Sequence, residues 1–136
     1  MAKITVSVII NSSIDKVWNQ LNNPKDIEQW NQASADWHCM NASNDLKVGG
    51  TLKSTMAAKD GSSSFDYEAI YDTIIPNELI KYHLLDGRMV EISFQETTNQ
   101  VLVTETFDAE NQNSEELQKA GWQAILNSFK KHVENN

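Results

Sequence analysis

Residues 104–134 read TETFDAENQNSEELQKAGWQAILNSFKKHVE. The segment opens as an alternating strand, passes through a polar loop and ends in a long amphipathic helix. From Leu117 onward its apolar or small positions are Ala120, Gly121, Trp122, Ala124, Ile125, Leu126, Phe129 and Val133. At about 100° per residue they cover well over half the helix circumference, where a surface helix needs one stripe. Such a helix must be gripped on two sides or wrapped by a curved sheet. A helix lying in the mouth of a curved sheet leaves a cavity between the two, and that cavity is where function is expected.

Working back from this helix, the chain punctuates itself clearly. Residues 101–108, 88–96 and 79–85 read as strands, with Asp86-Gly87 as a two-residue hairpin turn and a polar turn over Thr97–Gln100. Residues 64–75, SFDYEAIYDTII, form a long alternating strand that ends at Pro76-Asn77. Lys59-Asp60-Gly61 is a turn with glycine where positive φ is needed. Val48-Gly49-Gly50 turns a strand at 36–42 into one at 51–58. Residues 3–10 alternate weakly and read as the first strand. Ser12, three before Asp15, has capping-box spacing, and Ile14, Val17, Trp18 and Leu21 face inward on the helix that follows. Asn23-Pro24 restarts the chain as N-cap and first helical residue. The second short helix presents Ile27 and Trp30. The order is one strand, two helices, six consecutive strands and one long helix, so the class is α+β with an antiparallel sheet.

The whole chain has 136 residues and a formal net charge of −8. That length fits one domain, residues 1–136, with a real core. The charge, and the absence of any basic run, exclude a nucleic-acid binder. The apolar part of MAKITVSVII is too short for a stable membrane span or a signal peptide. Cys39 is the only cysteine, so no intramolecular disulfide can form and a cytoplasmic location is expected. No HExxH, CxxC, GxSxG, P-loop or dinucleotide fingerprint occurs. No metal and no cofactor is implied.

Several stretches together carry a family resemblance. They are IDKVWNQLNNPKDIEQWN at 14–31, DWH at 36–38, NDLKVGG at 44–50, KDGSSSFDYEAIYD at 59–72, DGRMVEISF at 86–94 and the closing segment from Glu105. The chain resembles the START-like helix-grip superfamily, and within it the homologues of the activator of the heat-shock protein 90 ATPase, often labelled polyketide cyclase-like. The resemblance implies a curved, seven-stranded antiparallel sheet around the last helix. It implies an internal cavity suited to an apolar or amphipathic small molecule. It leaves the reaction open, because the superfamily includes binders, transporters and enzymes. The activator's name adds a chaperone as a possible protein partner, although the activator itself carries a further domain for which this chain leaves no room.

The candidate site residues follow from the expected inward faces. With Asp86-Gly87 as a two-residue turn, Leu85 pairs with Arg88, His83 with Val90 and Lys81 with Ile92. With Thr98-Asn99 as the next turn, Ile92 lies opposite Glu105 and Val90 opposite Phe107. The face formed by Val90, Ile92, Phe94, Val101, Val103 and Phe107 is the core face, and Glu105 interrupts it. An inward carboxylate is costly unless paired, and His83, Arg88 and Lys81 are the expected partners. Glu105 is then a polar anchor, a base with a raised pKa, or half of a structural pair near the cavity rim, unless a slipped register puts it outside.

Residues 64–75 offer an aromatic face (Phe65, Tyr67, Ala69, Tyr71) and an acidic one (Asp66, Glu68, Ile70, Asp72, Ile74). The aromatic face is expected inside. Counting through Pro76-Asn77 instead groups the acidic face with His83, a conflict that a β-bulge would resolve. Trp18 and Trp122 are expected in the core. Trp30, His38, Gly121 and Ile125 complete the candidate cavity lining. The leading expectation is a non-catalytic protein that holds an apolar or amphipathic molecule. The alternatives are a cyclase, dehydratase or hydrolase using Glu105 with His83 or Arg88, and a protein-interaction module.

Overall fold

The structure, a computed structural model, describes residues 2–136. Its strands are β1 (Lys3–Ile10), β2 (Trp37–Asn44), β3 (Thr51–Ala58), β4 (Ser64–Ile75), β5 (Leu79–Leu84), β6 (Met89–Thr97) and β7 (Gln100–Asp108). The helices are α1 (Ile14–Asn22), α2 (Pro24–Trp30) and α3 (Glu115–Asn135). One antiparallel sheet contains all seven strands in the order β1-β7-β6-β5-β4-β3-β2. The sheet curls into a half-barrel and α3 lies in it, packed along β1 and against α1 and α2. This is the expected helix-grip architecture.

Alternation sets the inward face. One cross-strand row runs Ile4, Phe107, Val90, Tyr82, Tyr71 across five strands. All five are at most 5% exposed. The next row runs Val6, Glu105, Ile92, Ile80, Ile74. Glu105 is the one ionisable residue in that row. A carboxylate occupies a position at which every cross-strand neighbour is aliphatic.

Two local expectations shift by one residue. The N-cap of α1 is Ser13, whose hydroxyl accepts from the Lys16 amide at 3.3 Å. Ser12 is not the cap, and Asp15 instead accepts from the Asn77 side chain at 3.1 Å, tying α1 to the β4–β5 turn. Asn23 and Pro24 cap and open α2 as expected.

The second shift has larger consequences. The β5–β6 connection is a three-residue loop, Leu85-Asp86-Gly87. The Gly87 amide donates to Leu84 O at 2.9 Å and the Leu84 amide to Arg88 O at 2.8 Å. Gly87 has φ +93°. This is a type I turn closed by a left-handed residue, the usual three-residue hairpin. The register becomes His83 opposite Met89, Tyr82 opposite Val90, and Ile80 opposite Ile92. A one-residue slip turns every side chain of β5 over. Ile80, Tyr82 and Leu84 point inward, and Lys81 and His83 point out.

β4 does carry the expected bulge, between Tyr71 and Thr73. Before it, Tyr67, Ala69 and Tyr71 face in; after it, Ile74 packs on the core. The count that grouped the acidic face with His83 is also correct, because Ile70 pairs with His83 and both faces lie on the outside of the sheet.

Gly50 illustrates how tightly the β2–β3 turn is drawn. A Cβ there would lie 2.0 Å from the backbone oxygen of Asp45. The same turn is stitched to β4, with the Gly49 amide donating to Tyr71 O at 2.8 Å and the Tyr71 amide to Gly50 O at 3.1 Å. Gly50→Ala must therefore push backbone against backbone. It is expected to destabilise the protein by about 1–3 kcal/mol, as overpacking generally does, in a urea melt. Gly49→Ala, where no atom lies within 4 Å, is strained only through its positive φ and is expected to lose less.

Candidate functional site

Between α3 and the sheet lies a cavity of about 660 Å³. Its helical wall is Trp122 and Ile125 of α3, with Ile27 and Trp30 of α2 beside them. Its floor is the inward face of the sheet, including Tyr71, Ile80, Tyr82 and Ile92. Phe65 and Leu85, 54% and 65% exposed, line it where it meets solvent. The mouth therefore lies between the start of β4 and the β5–β6 turn.

Trp30 closes the inner end. Its indole nitrogen donates to Gln20 O at 2.9 Å, and its ring meets Phe129 edge-on at 5.0 Å. This fixes α2 against α3. Trp122 is partly buried and stacks on Phe107, with ring centroids 3.9 Å apart and planes at 13°. It forms cavity wall as well as core, a double role that helix periodicity alone could not separate.

Polar groups converge at one region of the floor. The Tyr67 and Tyr82 hydroxyls lie 2.8 Å apart. One phenol donates to the other, which leaves one O–H uncommitted. The Tyr71 hydroxyl donates to Asn44 Oδ1 at 2.8 Å, and the Asn44 amide donates to Asn22 O at 2.8 Å. Burial pushes the Tyr71 phenol up to about 12, and Tyr67 and Tyr82 are raised too, chiefly by burial. All three remain neutral donors at physiological pH.

Glu105 faces this group and acts electrostatically on both Tyr67 and Tyr82. Burial pushes its carboxyl up to about 7. Among the described residues its carboxylate makes no hydrogen bond and no salt bridge. It is not sealed from solvent: its residual accessible surface opens on the cavity it lines. A carboxyl in this state is part ionised at neutral pH and can accept from, or donate to, whatever occupies the cavity.

The expected partners of Glu105 are corrected by the hairpin slip. His83 points outward, with Nδ1 2.9 Å from Asp72 Oδ2. Lys81 also points outward and lies 3.4 Å from Glu91. Arg88 alone shares the cavity, but its Nε donates to Asp86 Oδ2 at 2.8 Å. Its charge is already engaged on the turn that carries it.

Of the other candidates, Trp30, Phe65, Tyr67, Tyr71, Arg88, Ile92, Glu105 and Ile125 line the cavity. Five do not. His38 alternates against buried Cys39 and so lies on the outer side of β2. His83 is outward for the reason given. Phe94 packs edge-on against Trp18 at 5.3 Å, under α1. Phe107 is covered by Trp122. Gly121 has no atom within 4 Å of its would-be Cβ and is not part of the wall. Tyr82, Ile80 and Leu84 were missed. The alternation Ile80-Lys81-Tyr82-His83-Leu84 was the signal for them, since it puts both basic residues on one side. Cys39 is buried with Ile27 and Met56, and burial raises its thiol, as an inert packed cysteine requires.

A long C-terminal helix gripped by a curved antiparallel sheet over an internal cavity defines a START-like helix-grip protein. The family model of the Activator of Hsp90 ATPase homolog 1-like proteins matches residues 11–134, and the chain belongs to that family. The AHSA1-like protein from Aeromonas hydrophila is 40% identical, with a TM-score of 0.91 over 98% of this chain and 93% of that one. Chr148 from Cytophaga hutchinsonii is 53% identical, with a TM-score of 0.85 over 98% and 93% of the two chains. The Aha1 dimer from Colwellia psychrerythraea shares the fold at 19% identity, with a TM-score of 0.74 over 98% and 97%. No curated protein matches the sequence. No helix among the described residues is long and apolar enough to cross a membrane.

Proposed function

We propose that the protein is a small-molecule binding protein that holds an apolar or amphipathic ligand in the cavity under α3. One observation supports this most. The space between helix and sheet is about 660 Å³, within the ~300–1,000 Å³ range of ligand sites, and is mostly apolar with a few converging polar groups. The apolar wall supplies affinity, and Glu105 with the Tyr67–Tyr82 pair orients the ligand's polar end. The lone buried thiol is compatible with a reducing cytoplasm.

A second reading, an acid–base enzyme, is favoured by the Glu105 carboxyl near 7, which is the right range for a general base. Of the two partners expected for it, His83 is on the other face of the sheet and Arg88, which does line the cavity, is bonded to Asp86. The family description keeps a chaperone-related role in view as a third reading.

The binding reading is tested with a neutral polycyclic fluorophore titrated into the folded protein. One molecule is expected to bind per chain. Ile125→Trp, which fills the space beneath α3, is expected to weaken binding by about tenfold or more. Its near-ultraviolet circular dichroism checks that it is folded. A fluorophore that fails to bind up to its solubility limit overturns the proposal.

A further inference from the structure

We infer that the polar group of the cavity's ligand is a cation, a protonated amine on an otherwise apolar body, seated on Glu105 and ringed by Tyr67, Tyr71, Tyr82 and Trp122. This inference rests on the binding reading and specifies its ligand class.

The case begins with what Glu105 lacks. Its cross-strand neighbours Val6 and Ile92 are aliphatic. The nearest helix contributes Trp122 and Ile125 to the cavity, neither of which is charged. Arg88 is bonded to Asp86; its charge acts on Tyr67 and Glu110, while burial alone shifts Glu105. Removing a carboxylate from water without a partner is costly, and a well-placed cation offsets that cost. Among the described residues no cation pairs with this carboxylate, and a cationic ligand suits it.

The surroundings suit the same charge. Tyr82 meets both Tyr67 and Tyr71 in edge-to-face contacts, at 6.4 Å and 6.0 Å between ring centroids. With Trp122 these rings give the cavity electron-rich aromatic walls, which attract cations. A chain of net charge −8 also raises the local concentration of cations. A fatty acid would meet the reverse arrangement: its carboxylate would face Glu105, and one of the two would have to stay protonated.

Few other ionisable groups face this point. From β4 come Tyr67 and Tyr71, and from β5 Tyr82, all neutral at physiological pH. Asp86 and Arg88 sit together at the mouth. Asp66 and Glu68 also border the cavity, but their side chains engage Thr55 at 2.8 Å and Lys53 at 3.9 Å on the outer face. β1, β6 and α3 bring no charge to Glu105. The pH dependence of ligand binding near neutrality therefore reports on Glu105.

The test uses three straight-chain probes of equal length, dodecylamine, dodecanol and dodecanoic acid. Each displaces the neutral fluorophore from the full-length protein. At pH 8 the amine is expected to compete about tenfold or more better than the alcohol or the acid. Its affinity should fall by roughly tenfold per unit as pH drops below 7, because Glu105 then holds its own proton, while the amine, with a pKa near ~10, stays charged. In Glu105→Gln the amine should lose its advantage. An amine no better than the alcohol, or an acid that binds best and tightens as pH falls, overturns the inference while fluorophore binding upholds the cavity. Failure of the fluorophore itself removes the binding reading as well. If the variant does not fold, the wild-type pH profile still decides.

Discussion

Phe129→Ala is expected to lower the free energy of unfolding by about 3–5 kcal/mol, the range for removing a large aromatic side chain from a packed core. Phe129 is 0% exposed and meets Trp30 edge-on. It joins α3 to the element that closes the inner end of the cavity. Trp122, which helix periodicity also placed in the core, is only partly buried and gives one side to the cavity. Its replacement by alanine is expected to cost less than that of Phe129, because part of its surface already lacks packing partners. Urea melts of the two variants provide the comparison. A loss under about 1 kcal/mol for Phe129→Ala would mean that α3 is not held by this contact.

The second large effect is a dependence of stability on pH that Glu105→Gln abolishes. The Glu105 carboxyl rises from 4.5 to about 7 on folding, through burial. Below pH 4.5 it is protonated in both states and contributes no difference. Between 4.5 and 7 the unfolded chain ionises it and the folded chain does not, so stability is lost as pH rises. Above 7 the loss is complete, on the order of 3 kcal/mol. Glu105→Gln removes this penalty. Its stability relative to wild type should therefore grow by about 2–3 kcal/mol between pH 5 and pH 8. Carboxylates held low by hydrogen bonds, such as Asp108 with Lys3 and the Met89 amide, have the opposite dependence. They are present in both proteins and cancel. An unchanged difference at the two pH values in paired urea melts would show that Glu105 is solvated or paired.

Much of the architecture was legible because local signals agreed. Asn23-Pro24, Gly61 and Asn99 each mark a turn or cap that the backbone adopts. The Thr98-Asn99 turn fixes Ile92 opposite Glu105, and from it the inward carboxylate could be deduced. The partners of Glu105 could not be deduced in the same way. Asp-Gly is compatible with both a two-residue turn and a three-residue loop ending in a left-handed glycine. The two differ by one residue of register, which exchanges His83 for Tyr82 on the cavity face. Cavity walls were also harder to read than the core. Phe94, Phe107 and Ile92 share one alternating face, yet only Ile92 lies under the gap. Whether an inward residue meets a helix or a void depends on where α3 crosses the sheet, and periodicity within a strand carries no information on that crossing.

The most direct measurement is a ¹³C NMR titration of the Glu105 side-chain carboxyl, with the cavity free and then filled by the neutral fluorophore. An unpaired anchor inside a binding cavity should titrate near 7. Its midpoint should move higher when an apolar occupant displaces water around it. A midpoint near the ordinary 4.5, unmoved by the occupant, would contradict both the burial of Glu105 and its place in a binding cavity.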